Sequence, residues 1–435
     1  REIRCFQEPP ATRSIRRMDF SGRLTRWMEL LRGVSESRAL RLALFVWVVY
    51  AVIIAGIVAV QPDRRTVTPE YREASEKWWT GRDIYKVRMH GYLYLPHAAI
   101  IYTPFAALPM RVGEPLWRLV NLGLLAFSIW RLARTFGGGR PGMWFLIATV
   151  AALPASFSSA RNGQMNLTMA ALLAMAAVDL GIRAWNRASL SLLLSLALKP
   201  LGMVPCLLAG GCYIRPMVWR LAAGGVLLGA ASFLHWKSDF VVGQYELFVK
   251  TMQIAGKPNQ PLFCDVQGML LFFGMPLPDP VVTALRALAA VGTLGVAWLA
   301  LRRYDAARGA FVCMLLASWY LVIFNPRTET NSYVMLAPFA GLLVASAAVD
   351  GKFSRRFLAL AVFALILSCE NWGPLHKLTN LWLKAAAGIV FGGFLIRDVL
   401  AGRDPLGLPS PSDQSGSGFS GSGVVFSKAP WLEWP

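Results

Sequence analysis

The chain reads as an all-α polytopic membrane protein. Of its 435 residues, 55% are hydrophobic and 16% are charged, where a soluble chain carries roughly a quarter charged residues. Mean hydropathy is +0.47. Apolar stretches of about twenty residues, long enough to cross a ~30 Å hydrocarbon core, recur from Arg41 to near Asp398. These observations exclude a cytosolic enzyme, a secreted disulfide domain and a disordered chain. The net charge of +20 invites a nucleic-acid reading, but no soluble nucleic-acid module fits between the apolar runs. The cations sit instead in short connecting segments, where they orient membrane helices. Six cysteines (Cys5, Cys206, Cys212, Cys264, Cys313, Cys369) have no C-x-x-C spacing and read as small hydrophobes.

Residues 1–40 form a polar arm with nine arginines and five acids, expected on the cytoplasmic side, and Met18 within it is a candidate natural start. No cleavable signal peptide is expected, so the first apolar run after Arg41 stays as an anchor. Residues 41–400 form the membrane domain, and 401–435, rich in Gly, Ser and Pro, are expected to be a disordered cytoplasmic tail. Spans are expected near 41–60, 113–134, 141–157, 164–182, 217–235, 280–301, 309–325, 332–349, 356–370 and 379–397. An eleventh segment, 188–212, is too long for one span and is interrupted by Lys199-Pro200, which predicts a broken helical hairpin entering and leaving on the same side. The short loops then placed in the cytoplasm carry thirteen Lys or Arg, while those placed outside carry three: Arg161, Arg327 and Lys377. That asymmetry is the positive-inside pattern.

With this topology every unusual polar segment falls outside, which predicts an extracytoplasmic active site on the membrane surface. The first outer loop holds Asp63, Glu70-Tyr71, Trp78-Trp79, Asp83-Ile84-Tyr85, Tyr94 and His97. Rings cover the apolar faces of sugars, and a carboxylate can take a proton from an acceptor hydroxyl. The plain alternative is an interfacial aromatic belt. The spacing Tyr71, Ala74, Trp78 predicts an amphipathic surface helix near 69–80. Arg161-Asn162-Gly163-Gln164-x-Asn166 offers a cation and amides at a helix start, which suits an anion as well as a simple cap. In the later outer turn, Arg327, Glu329 and Asn331 crowd into the few residues between two spans. Lys199 follows eleven apolar or hydroxyl-bearing residues. A charge there costs roughly 2.5–3.5 kcal/mol on insertion scales, and Pro200 disfavours helix at that point. The ammonium is expected at a break between half-helices, where a phosphate can be received. Snorkelling to the headgroups is the competing reading.

The pattern Gly81-x-Asp83-Ile84-Tyr85, then Tyr94-Leu95-Pro96 and Pro104-x-x-x-Leu108-Pro109, resembles the first-loop signature of glycosyltransferase family 87. Asn162-Gly163-Gln164-x-Asn166, Leu198-Lys199-Pro200 and Pro326-x-x-x-x-Asn331-Ser332-Tyr333 extend the resemblance over residues 41–400. It implies a GT-C-like fold and transfer of a hexose, mannose foremost, from a polyprenyl-phosphate carrier to a lipid-linked or cell-envelope acceptor on the outer face of a bacterial inner membrane. Where family members place an acid shortly before the tyrosine matching Tyr71, this chain has Val67 or Thr68. The base is therefore expected at Glu70, then Asp63, then Asp83. The donor phosphate is expected at Lys199, with Arg161 or Arg327, and substrate contacts at Tyr71, Tyr85, Tyr94, His97, Asn162, Gln164, Asn166, Glu329 and Asn331. No cofactor is expected and no metal, since cationic side chains can neutralise a lipid monophosphate. A transporter or flippase of a lipid-linked or anionic substrate is the competing class, favoured by inverted repeats and mid-membrane charges. No convincing repeat is found, and the polar character gathers at one face.

Overall fold

The computed structural model describes residues 33–256, 263–349 and 354–407. Most of the N-terminal arm, including Cys5 and Met18, and the tail from 408 onward lie outside the described residues. Among the described residues, six helical segments are long and apolar enough, by length and composition, to cross a membrane. They are α1 (Glu36–Val60), α4 (Met110–Phe136), α5 (Pro141–Asn162), α12 (Asp279–Arg303), α13 (Ala306–Phe324) and the run Thr330–Val349, whose helical part is α14 (Ala337–Val349). Between and around them lie α2 (Thr68–Thr80), α3 (Pro96–Ala106), α6 (Asn166–Gly181), α7 (Trp185–Leu198), α8 (Met203–Cys212), α9 (Ile214–Ser232), α10 (Ser238–Ala255) and α11 (Val266–Phe272). Toward the C-terminus come α15 (Arg355–Ile366) and α16 (Leu383–Leu400), with a single helical turn, His376–Thr379, between them. The chain is a helical membrane protein.

Burial sorts these helices by depth. Every residue of α6 is buried, as is nearly every residue of α13 and α14, and helices apolar all round belong at a core. The outer helices α1 and α12 bury only narrow stripes and leave Phe45, Val48, Val52, Leu288 and Val291 exposed. An apolar exterior of this kind suits lipid and not water.

The loops sort to two ends. At one end, α1 and α5 meet where Glu36 accepts from the Gly142 amide. There too Asp179 pairs bidentately with Arg131 at 2.6 and 3.0 Å, and Arg303 donates to the Val399 carbonyl at 2.6 Å. Arg131, Arg187 and Arg308 of the cationic short loops belong to this basic end. At the other end, the Val67 amide donates to the Asn162 carbonyl at 3.2 Å, and the turns after α13 and α15 come together through Lys384, which binds the Thr330 carbonyl at 2.8 Å and pairs with Glu370. The polar segments gather here.

Segment 188–212 is a hairpin folded at Lys199. Trp185 lies beside Tyr213, with ring centroids 5.7 Å apart. Cys206 Sγ reaches the Leu192 carbonyl at 3.5 Å, and Gly202 lies so close to Ser195 and Leu196 that a methyl group there would overlap backbone. These pairs are nearly symmetric about residue 199, so α7 and α8 run antiparallel. Lys199 itself is extended, at φ −151° and ψ 133°, as a residue before proline prefers.

Two expectations are corrected. The span expected over 356–370 stops at Ile366, and twelve residues reach only about 18 Å. Beyond it, Ser368 turns back onto the Leu365 carbonyl, Asn371 binds the Pro154 carbonyl and Glu370 pairs with Lys384. Those polar anchors favour short 3₁₀ turns over more helix. The first residues of the expected tail are also held in place. Residues 401–407 dock on the basic end, where Leu406 is buried, Asp404 pairs with Arg308 at 3.1 Å and Arg356 donates to the Pro405 carbonyl.

Candidate active site

The first outer loop is built on α2 and α3. Tyr71, Ala74, Ser75 and Trp78 form the buried face of α2, as the spacing predicts, and Ser75 Oγ ties it to the Ala99 carbonyl of α3 at 2.7 Å. Below it lies a carboxylate that sequence reasoning missed. Glu114, in the first turns of α4, is fully buried and accepts from Thr68, from Arg118, from Tyr102 at 2.7 Å and from Arg72 at 3.3 Å. Arg118 also donates to Thr66 Oγ1 at 2.7 Å and packs against Gly163, whose φ of 75° and tight surroundings exclude a side chain. The network fastens the loop to the turn between α5 and α6. Its sequence signal was an opposite-charge pair four residues apart at the start of an apolar run. Thr68, one of the two residues at the place of the family's acid, serves this network.

That fastening places the amides of the 161–166 turn against the tip of the hairpin. Lys199 Nζ donates to Asn166 Oδ1 at 2.6 Å. Asn166 Nδ2 donates to Gln164 Oε1 at 2.6 Å and to Ser332 Oγ at 3.1 Å, and Asn331 Oδ1 lies at 3.4 Å. Gln164 Nε2 in turn donates to Glu329 Oε2 at 2.5 Å. Ser159 Oγ holds the Asn331 carbonyl at 2.8 Å. Three sequence-distant segments thus share one polar ladder. It runs from fully buried Asn166 to half-buried Lys199 at one end and exposed Glu329 at the other. Tyr94 lies over Lys199, with the ammonium 5.9 Å from its ring, and its hydroxyl accepts from Tyr71 at 2.9 Å. Arg327 is anchored on the Ala255 carbonyl at 2.9 Å and the Phe263 ring at 4.8 Å, within electrostatic reach of Glu329 and Tyr94. Burial pulls its pKa below the usual arginine range, with Glu329 opposing. Burial raises the Tyr94 phenol, so it stays protonated. Two cations beside one carboxylate suit an anion.

Of the residues singled out from sequence, Tyr71, Tyr94, Gln164, Asn166, Lys199, Arg327, Glu329 and Asn331 come together in this group. Asn162 contributes through its backbone carbonyl, which accepts from Thr66 and Val67. The others lie elsewhere. Arg161 shares its electrostatic surroundings with Arg64 and Arg65. Tyr85 packs among Tyr92 and Phe248 and donates to the Tyr94 carbonyl at 2.7 Å. His97 is buried against the Leu228 carbonyl at 2.6 Å and Ser232 at 3.0 Å, and burial holds it below the usual histidine range. Asp83 accepts from Gln244 at 2.8 Å and pins the loop to α10. Asp63 is exposed and Glu70 half-buried, and neither carboxylate has a hydrogen bond or ion pair among the described residues. A groove of about 610 Å³ along α10, lined by Phe233, Tyr245, Glu246 and Lys250 among others, shares no residue with the ladder.

Cations, amides and aromatic rings thus gather at one end of a helical membrane bundle. Residues 92–326, more than half of the chain, match the family model of glycosyltransferase family 87. The chain belongs to that family, and is a membrane glycosyltransferase. No curated protein matches the chain.

Proposed function

We propose that the protein moves a hexose, mannose foremost, from a polyprenyl-phosphate carrier to a lipid-linked or cell-envelope acceptor. The reaction would take place on the outer face of a bacterial cytoplasmic membrane. In this reading the basic end and the N-terminus face the cytoplasm, the polar end faces outward, and the helices form a GT-C-like bundle of about eleven membrane segments. The observation that carries it is the position of Lys199, whose ammonium sits at the tip of a hairpin beside Asn166 and Tyr94. A carrier's prenyl chain can stay in lipid along the apolar exterior while its phosphate reaches that tip. Lys199 and Arg327 would hold the phosphate and steady it as a leaving group, a role that needs charge placed in advance where charge develops. Tyr71 and Tyr94 would flank the sugar. Gathering of the polar groups at one end, and not at midplane, supports transfer over transport.

The test is turnover by purified protein given polyprenyl-phosphate [¹⁴C]mannose or glucose and a lipid extract. Wild-type protein should label a lipid product. Lys199→Met should raise the donor KM at least tenfold with the melting temperature held, and Lys199→Arg should rescue in part, because its fork is larger. Absence of transfer from every polyprenyl-phosphate hexose would overturn the reading.

A further inference from the structure

We propose that Glu329 in the late outer turn, and not an acid of the first loop, is the carboxylate that accepts the acceptor's proton. The inference rests on the donor reading above. Several of the outer acids are engaged elsewhere. Glu73 pairs with Lys77 at 2.7 Å and Lys86 at 3.1 Å, Glu76 with Arg82 at 3.0 Å, and Glu370 with Lys384. Asp83 is taken by Gln244, Asp265 caps α11 through the Gly268 amide at 2.9 Å, and Glu114 is sealed among four donors. Glu70 and Asp63 make no polar contact that would aim them.

Glu329 differs on three counts. It is exposed, so an acceptor can reach it. Its Oε2 is fixed by Gln164 at 2.5 Å, while Oε1 takes no hydrogen bond among the described residues. And it is joined to Lys199 by the chain Gln164–Asn166, three hydrogen bonds of 2.5 to 2.6 Å, within electrostatic reach of both Lys199 and Arg327. A base must come within hydrogen-bond reach of the proton it abstracts and is commonly oriented by a third group. In the step, the acceptor oxygen bonds to the anomeric carbon as the bond from that carbon to the phosphate oxygen breaks. The carrier phosphate leaves with the electron pair beside Lys199 and Arg327, and the hydroxyl proton passes to Glu329 Oε1. Gln164 is a positioning residue that aims the carboxylate.

Kinetics separate the roles. Glu329→Gln should lower kcat about 10²–10⁴-fold, the usual worth of a general base, and leave the donor KM within threefold. Lys199→Met should show the KM effect instead. Glu329→Asp should recover part of the rate. If Glu329→Gln does not fold, Glu329→Asp alone decides: a lowered kcat at unchanged donor KM supports the assignment. Wild-type kcat in either variant overturns it, as does a raised donor KM, which would put Glu329 on the phosphate. Loss of turnover in Glu70→Gln with Glu329→Gln active returns the base to the first loop. An inactive wild type defeats the donor reading itself, and the proposal with it, and is told apart by needing no variant.

Discussion

Glu114 has no exposed surface and four donors around its carboxylate, so its removal strands Arg118 and Arg72 without a counter-charge. Breaking a buried ion pair from one side costs about 3–5 kcal/mol. Glu114→Ala should lower unfolding stability in detergent by that order, and a loss under 1 kcal/mol would show the network to be slack. Asp265 gives a second residue-scale prediction. Burial pushes its pKa up to about 6, with the Gly268 amide and Arg286 opposing. An acid whose folded pKa lies above its unfolded value binds more protons folded than unfolded between those values. Stability should therefore fall as pH rises from about 4 to about 6, by up to about 1.4 kcal/mol per unit. Asp265→Asn keeps the side-chain oxygen that caps Gly268 and should flatten that slope; identical pH profiles would contradict the assignment. Neither residue stood out in the sequence. Glu114 shows in the sequence only its i, i+4 partner Arg118, and through-space packing alone brings Thr68, Arg72 and Tyr102 to it.

The hairpin α7–α8 sets where the site's cation sits. Its break was legible because Lys199-Pro200 combines a lost donor with a residue barred from helix. Gly202, where the returning chain touches Ser195 and Leu196, was not, since nothing local marks a close approach. Gly202→Val should open the fold-back, displace Lys199 from Asn166 and abolish donor use while circular dichroism stays helical; full donor use would show the tip to be tolerant. Helix α2 was legible too, because Tyr71, Ala74 and Trp78 share one face at helical spacing. The early end of α15 and the docking of Leu406 escaped, since an apolar run does not disclose where tertiary partners such as Lys384 and Arg308 stop it or hold it. The polar ladder was legible as residue types in three loops. Which acid faces Lys199 was not, because spacing along the chain says nothing of which loops meet. Glu70 sits beside a well-matched tyrosine, yet Glu329 is the acid hydrogen-bonded into the group.

For the whole molecule, the separation of a basic end from a polar end predicts the orientation in the membrane. In a Cys5→Ser background whose other cysteines are buried, a single cysteine at Arg82 should react with a membrane-impermeant maleimide added to intact spheroplasts. One at Arg302 should react only after permeabilisation, and the reverse pattern would invert the topology. Among the described residues, six helical segments suffice in length and apolarity to cross a bilayer, and the exposed apolar sides of α1 and α12 suit lipid. The claim on which the rest depends is that the lysine at the hairpin tip receives the carrier's phosphate. Binding of polyprenyl monophosphate to purified protein in nanodiscs, compared between wild type and Lys199→Met, tests it without any turnover. At least a tenfold weaker affinity in the variant, with the melting temperature held, is the predicted result; equal affinity in the two proteins would contradict it.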